Sequence, residues 1–209
     1  MIIDFTINFN NYIEKILNNY LLFDYICPKC GAKHSFTRHG SYERNVCFID
    51  NHNNICEERM CILRLKCSSC SSTHAILPND IVPYCVYSFS FIIDVLTKYY
   101  SGDNKIEKIC SLFPISFQLI YSFISKFLDF LNSSFSVLNN LGCEAPCIPQ
   151  KIISIINLYH KNKNFLCSYL FSTQWMFFMK KFHNRLSTPI YIGSFYWSNS
   201  LPTQLLNIF

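Results

Sequence analysis

Two C-x-x-C pairs constrain this sequence more than any other feature. They are Cys27–Cys30 and Cys67–Cys70, separated by 36 residues. Two residues between thiolates let a tight turn present both sulfurs to one ion, and two such turns supply the four corners of a tetrahedral site. A single pair could be a redox motif, but two pairs that flank a strand-like segment rarely are. We therefore predict one structural Zn²⁺ held by these four cysteines.

Two histidines follow the cysteine pairs and offer alternative ligands. His34 and His74 each lie shortly after the second cysteine of a pair. Because four thiolates already complete the ligand set, we expect both histidines to pack beside the ligands rather than to replace one of them.

The sequence contains further cysteines, which we interpret differently. Those between the pairs are best explained as small apolar residues in strands, and a looser C-x-x-x-C is a less favoured second metal site. The first group is Cys47, Cys56 and Cys61, and the second is Cys143 and Cys147.

The N-terminus and the composition indicate a reduced compartment. Twelve cysteines in 209 residues fit either a secreted disulfide scaffold or a reduced metal-binding protein. Residues 1–26 carry three acidic residues against Lys15 and lack an apolar signal region. The uncharged runs at 109–125 and 186–209 are broken by proline and polar residues. We expect a cytoplasmic protein that does not insert into a membrane.

A high apolar content excludes intrinsic disorder. Half of the residues are hydrophobic and only 15% are charged, so a chain of this length can bury a substantial core. The region between the cysteine pairs alternates apolar and polar residues at 35–46 and 60–66, with a polar turn at 50–54. This pattern predicts a zinc ribbon, in which two knuckles flank a β-hairpin.

The pattern changes to a helical period after residue 86. Apolar residues recur three and four apart from Val86 to Tyr100, Asn104 and Glu107 form a capping box, and Pro114 breaks the next helix. Ser116 then caps a longer helix. Residues 104–131 therefore predict a helix-turn-helix, although an ordinary helical hairpin gives the same pattern.

Candidate DNA contacts come from both regions. The longer helix offers Gln118 for a base edge, with phosphate contacts left to basic residues elsewhere. The tail from 145 to 209 has six basic and no acidic residues, which fits either phosphate binding or simple solvation of an apolar region. The candidate contacts are Arg38, Arg44, Arg64, Ser116, Gln118, Tyr121 and Lys126.

Together these patterns predict an α+β fold: a zinc ribbon followed by a mostly helical region with a helix-turn-helix. The predicted segments are a helical N-terminus (1–24), the ribbon (25–84), the helical region (85–142) and a basic, aromatic-rich helical C-terminal region (143–209).

The ribbon motifs resemble those of an uncharacterised bacterial family with a domain of unknown function. That family is similar in layout to the N-terminal zinc ribbon and helix-turn-helix of insertion-sequence transposases. The resemblance covers residues 27 to about 131 and implies zinc at the four cysteines and DNA binding. It rests on Cys27-Pro28-x-Cys30-Gly31, Arg38-His39-Gly40-x-Tyr42-x-Arg44, Arg64-x-x-Cys67-x-x-Cys70 and Thr73-His74-Ala75.

The sequence lacks the residues of a transposase catalytic domain. Two-metal catalysis needs three carboxylates that converge on the ions, and no acidic residue follows Glu144. We therefore predict a non-enzymatic, zinc-dependent DNA-binding protein, regulatory or associated with a mobile element. The alternative is an assembly subunit that binds a protein partner or a second copy through aromatic helices. It rests on Phe165, Tyr169, Trp175, Phe177 and Phe178.

Overall fold

A computed structural model describes residues 1–22, 24–50, 52–102, 105–144, 146–159, 164–173, 178 and 191–192. These residues divide into two compact units. The sheet unit comprises Met1–Cys47, Glu57–Ser88 and a strand at 191–192, and the helical unit comprises Phe48–Cys56 and Phe89–Phe178. The α+β class predicted from the sequence is confirmed.

The sheet unit is built on one mixed sheet. In the described residues its strands follow the order β2-β3-β4-β1-β5. Strands β3 and β4 are antiparallel, with Arg64 opposite Ala75, whereas β1 runs parallel to both β4 and β5. The bounds are β1 Ile2–Asp4, β2 Phe36–Ile49, β3 Ile55–Cys67, β4 Thr73–Pro78 and β5 Tyr191–Ile192.

Strand β1 was not predicted from the sequence. Residues 1–24 were expected to be helical, but Ile2 and Ile3 are fully buried in the sheet between β4 and β5. Parallel strands covered on both faces are continuously apolar, so a three-residue example has no alternation to detect. The segment also holds a π-helical turn, Ile13–Leu17, and a 3₁₀ turn, Tyr20–Leu22.

A buried tyrosine joins this N-terminal segment to the sheet. The Tyr12 hydroxyl donates to the Ile76 carbonyl at 2.6 Å and accepts from the Leu63 N–H at 3.1 Å. It therefore supplies partners to backbone groups of two neighbouring strands, and its own polar atom is satisfied inside the core. Burial raises the pKa of Tyr12, so the hydroxyl stays protonated.

The described residues of the helical unit form five helices around an aromatic core. Phe89 stacks on Phe165 at 6.3 Å between ring centroids, and Phe91 meets Phe113 edge to face at 5.5 Å. Such pairs add to the energy of apolar burial. The helices are α1 Phe89–Tyr100, α2 Ile106–Leu112, α3 Phe117–Asn140, α4 Pro149–Tyr159 and α5 Asn164–Thr173.

Local signals explain the connection between α2 and α3. Phe113 is extended, as expected for the residue before Pro114, and this ends α2. The Ser116 side chain accepts from the Leu119 N–H, so the predicted cap of α3 is confirmed. The two helices meet at 105° across residues 113–116. No individual helix in the described residues has the length and apolar composition of a membrane span, although α2 and α3 together pass that test.

Other details of the helical prediction differ from the structure or fall outside the described residues. Val86 was predicted to be the first apolar residue of this amphipathic helix but is 47% exposed, because α1 begins only at Phe89. The predicted cap at Asn104 lies outside the described residues, and Lys105 stands at the N-cap position of α2. Phe165, Tyr169 and Phe178 are buried, so they form no exposed aromatic surface.

Candidate metal centre and cationic cavity

The structure brings together the four cysteines of the two C-x-x-C pairs. Their Sγ atoms all lie within 4.8 Å of one another. Cys27 Sγ is 3.6 Å from Cys70 Sγ, and Cys30 Sγ is 3.7 Å from Cys67 Sγ. The group is accordingly able to hold one metal ion. Elsewhere in the described chain, Cys143 and Cys147 join no such cluster, and the Cys147 thiol contacts Asn132 Oδ1 at 3.6 Å.

Both pairs lie on turns with the same backbone pattern. The first cysteine of each turn donates its N–H to the carbonyl five residues later, Cys27 to Ala32 and Cys67 to Ser72, each at 2.9 Å. The residue four after the first cysteine is left-handed in both turns: Gly31 at φ +73° and Ser71 at φ +58°. This repeated geometry explains how two separate sequences present their thiols alike.

Ser35 contacts one of the four thiols and was not predicted from the sequence. Its hydroxyl lies 3.3 Å from Cys67 Sγ, and its carbonyl accepts from the Ser68 N–H at 2.7 Å. Burial opposes ionisation of Cys67, but hydrogen bonds from Ser35 and from the backbone of Cys70 and Ser69 lower its pKa to about 6. A thiolate is the form that binds metal. The serine stands outside the C-x-x-C motif, so spacing could not reveal it.

The two histidines have different environments. His74 is 2% exposed, and its Nε2 lies 3.5 Å from Cys27 Sγ while its Nδ1 lies 3.1 Å from the Met1 nitrogen. Burial lowers the pKa of His74 to about 4, so the ring is neutral near pH 7. His34 is exposed and points instead to Asp24, with 3.5 Å between Nδ1 and Oδ1.

A second feature of the sheet unit is a cavity of about 550 Å³. Arg44 and Arg64 both line it, together with Tyr42 and Tyr84, and no acidic residue is among its described lining residues. Burial raises the pKa of Tyr42 while the two arginines act in the opposite direction, which reflects their proximity. Both arginines were predicted from the sequence as DNA contacts, but no local pattern indicated that they line one cavity.

The remaining predicted DNA contacts are distributed over both units. Arg38 is exposed on β2, six residues before Arg44 on the same strand. Gln118 and Tyr121 are exposed on the first turns of α3, Ser116 caps that helix, and Lys126 is half-buried. Most basic residues of the tail lie outside the described residues, as do Trp175 and Phe177. Those basic residues are Lys161, Lys163, Lys180, Lys181 and Arg185.

Comparison with known proteins gives one match. Residues 27–112 match the family described as "Domain of unknown function (DUF6431)", which covers less than half of the chain. The match begins at Cys27 and ends with α2, so it contains all four cysteines and excludes α3. No curated protein and no solved structure matches the chain. The similarity to transposases accordingly stays a prediction.

Proposed function

We propose that the chain is a DNA-binding protein whose sheet unit is stabilised by one zinc ion. The observation that carries this proposal is the pairing of Arg44 and Arg64 on one cavity without a described acidic neighbour, in the unit that holds the four thiols. Like-charged side chains on one surface repel each other, and a bound anion such as a DNA phosphate relieves that repulsion.

The geometry of the cysteine group supports zinc as the metal. A tetrahedral site with zinc–sulfur bonds of about 2.3 Å requires sulfur–sulfur distances of about 3.8 Å. The sulfur atoms of Cys27 and Cys70 are 3.6 Å apart, and those of Cys30 and Cys67 are 3.7 Å apart. Four thiolates also leave no coordination position for water, so the site is structural rather than catalytic. We accordingly propose no enzymatic activity for this centre.

The exposed cations and the α2–α3 arrangement support DNA as the partner. Arg38 is a further exposed cation on β2, and Gln118 is an exposed amide near the start of α3, suited to an adenine edge. Two helices at 105° with a short connection fit a helix-turn-helix. In this proposal the protein has the N-terminal layout of a transposase and acts in regulation or within a mobile element.

A salt titration tests this function. Zinc-loaded protein and a fluorescently labelled 20-base-pair duplex of random sequence are titrated at 50 and 200 mM salt. Phosphate contacts release counterions, so we expect a Kd below about 10 μM at the lower salt and a loss of at least about tenfold at the higher salt. Binding that is weaker than this, or indifferent to salt, contradicts the function.

A pair of arginine variants sharpens the titration. Arg38→Ala removes an exposed cation and should lower the salt slope by about 0.9 for one lost phosphate contact. Arg59→Ala is the matched control, because Arg59 lies on the neighbouring strand and its charge is already offset by Glu43 at 3.6 Å. If the two variants lowered the salt slope equally, a specific role for Arg38 in phosphate binding would be contradicted.

An exposed apolar stripe favours an assembly subunit as the second candidate. Phe117, Tyr121 and Leu128 follow one face of α3 and are 54%, 53% and 49% exposed. Leu112 at the end of α2 is also exposed. Apolar residues clustered in this way are typical of protein-binding surfaces. Sedimentation of the parent and of Phe117→Ser/Leu128→Ser tests this: a parent that is monomeric and unchanged by the substitutions contradicts self-assembly.

A further inference from the structure

The floor of the cationic cavity is formed by one face of β4. Thr73, Ala75 and Leu77 are alternate residues and line it together. Ala75 is the residue directly opposite Arg64 on β3. Ala75 has a single methyl group, so the space beside the Arg64 guanidinium stays open, whereas a larger residue at position 75 would fill it. The cavity therefore follows from the register of the two strands.

Residues 83–86 form the wall of the cavity, and hydrogen bonds fix this segment to β2. The Arg44 guanidinium donates to the carbonyls of Val82 and Cys85. The Cys47 N–H donates to the Val86 carbonyl at 2.8 Å, and the Ser88 N–H donates to the Cys47 carbonyl at 2.9 Å. These bonds hold the wall in place without a ligand, so binding would not have to order it.

Two tyrosines flank the arginines at the cavity. Tyr42 is 40% exposed and Tyr84 is 66% exposed. Tyr84 has φ +58°, a left-handed conformation that bulky residues rarely adopt and that tends to occur at ligand sites. Aromatic rings beside cations are the combination that single-stranded nucleic acids bind, with bases stacked on the rings and phosphates on the cations.

We propose that this cavity binds one unpaired nucleotide, with its phosphate on Arg64 and its base stacked on Tyr84. The volume of about 550 Å³ lies within the range of about 300–1,000 Å³ that is typical of small-molecule sites. In a duplex the faces of each base are covered by its neighbours, so the ligand is an unpaired nucleotide of a strand or a free one. This inference rests on the DNA-binding function proposed above and names its ligand.

Fluorescence anisotropy with a labelled 12-nucleotide oligothymidylate tests the site in the full, zinc-loaded chain. Tyr84→Asn removes the ring with a residue that tolerates the left-handed conformation, and should weaken binding at least about fivefold. Tyr84→Phe keeps the ring and should bind within about twofold of the parent. Arg64→Ala should lower the salt slope by about 0.7, the value for one phosphate of a single strand.

Arg59→Ala is the matched control for charge, because Arg59 lies on the same strand as Arg64 and does not line the cavity. Binding by Arg64→Ala and Tyr84→Asn that equals the parent overturns the proposal, as does an equal loss in Arg59→Ala. If thymidine monophosphate displaces the labelled strand at a similar concentration of nucleotides, the ligand of the cavity is a free nucleotide. Absence of such competition, with the variant losses intact, supports a strand.

The duplex titration distinguishes the two proposals. If salt-dependent duplex binding persists while the cavity variants change nothing with the single strand, the nucleotide site fails, and DNA binding is carried by cations outside the cavity. If the parent binds no DNA but binds thymidine monophosphate, and Tyr84→Asn abolishes that binding, the cavity stands and the DNA-binding function fails. A parent that binds neither DNA nor nucleotide overturns both.

Discussion

The two units are stabilised by different interactions. In the helical unit, rings from several helices pack against each other, as Phe127 does with Tyr100 and Phe130 with Tyr169, both at 5.9 Å between centroids. In the sheet unit, strand β2 is exposed over most of its length and the two cysteine turns meet at one four-thiol group. The sheet unit therefore has a group that is able to hold a metal ion, whereas the helical unit is packed by aromatic contacts.

This contrast links metal binding to the folding of one unit only. Four thiolates are brought together only in the folded sheet unit, so the binding free energy of a structural zinc, roughly 10–16 kcal/mol in small modules, becomes folding free energy. The core of the helical unit consists of Phe, Ile and Leu side chains, whose burial does not depend on a metal. Loss of the metal should consequently destabilise the sheet unit alone, and loss of apolar packing should destabilise the helical unit alone.

The largest effect is expected from Cys67→Ser. Cys67 is fully buried, and its loss removes one ligand of the group and opens the site to water. We expect zinc per chain to fall from about one to near zero, with loss of protection of residues 27–47 and 57–78 and retention of helices α1–α5. Elemental analysis and hydrogen exchange measure these changes. Cys61→Ser is the control, because Cys61 is a half-buried strand residue outside the group.

Two results would contradict this separation. One is parent protein that contains no zinc. The other is zinc content that survives both Cys27→Ser and Cys67→Ser but disappears in His34→Ala, since His34 is exposed and paired with Asp24.

The corresponding prediction for the helical unit concerns Phe127. This ring is fully buried in α3, and Phe127→Ala should lower the free energy of unfolding of the helical unit by about 3–5 kcal/mol. Zinc content should stay unchanged. The control is Leu128→Ala, because Leu128 is 49% exposed and should change stability by less than about 0.5 kcal/mol. A Phe127→Ala protein that loses its zinc would show that the units are not independent.

Local signals explain what could be predicted from the sequence. The C-x-x-C spacing predicted the thiol group, Pro114 and Ser116 predicted the α2–α3 break, and alternation predicted the two long strands. Each depends on residues within a few positions of one another. Strand β1 was missed because its partner β4 lies more than 70 residues away and three apolar residues show no period.

The cationic cavity was missed for a related reason. Arg44 and Arg64 stand out as individual basic residues in the sequence, but only the register of β3 with β4 puts Arg64 opposite the small Ala75. Only hydrogen bonds from Arg44 to residues 82 and 85 show that a later loop forms the wall. Pairing over such distances is decided by the folded sheet rather than by local pattern.

A smaller effect is expected from Tyr12→Phe in the sheet unit. The hydroxyl bridges the Leu63 N–H and the Ile76 carbonyl, both in the core, and its removal leaves two backbone groups without that partner. The cost should be about 1–3 kcal/mol. Urea unfolding of the zinc-loaded protein measures it, and the zinc stoichiometry should stay near one. A change below about 0.3 kcal/mol would contradict the bridging role.

The smallest effects should come from the left-handed residues of the two cysteine turns, where Gly31 and Ser71 occupy the same place. Gly31→Ala puts a Cβ at φ +73°, where nothing lies within 4 Å, so only backbone strain of about 1 kcal/mol opposes it. Ser71→Gly removes that strain at φ +58° but increases the freedom of the unfolded chain, so the two terms should nearly cancel. Chelator titrations compare their zinc affinities. Gly31→Ala should release zinc more readily than the parent, and Ser71→Gly should match the parent within about threefold. If Ser71→Gly weakened zinc binding as much as Gly31→Ala, backbone strain would not be what distinguishes the two turns, and the serine side chain would be needed instead.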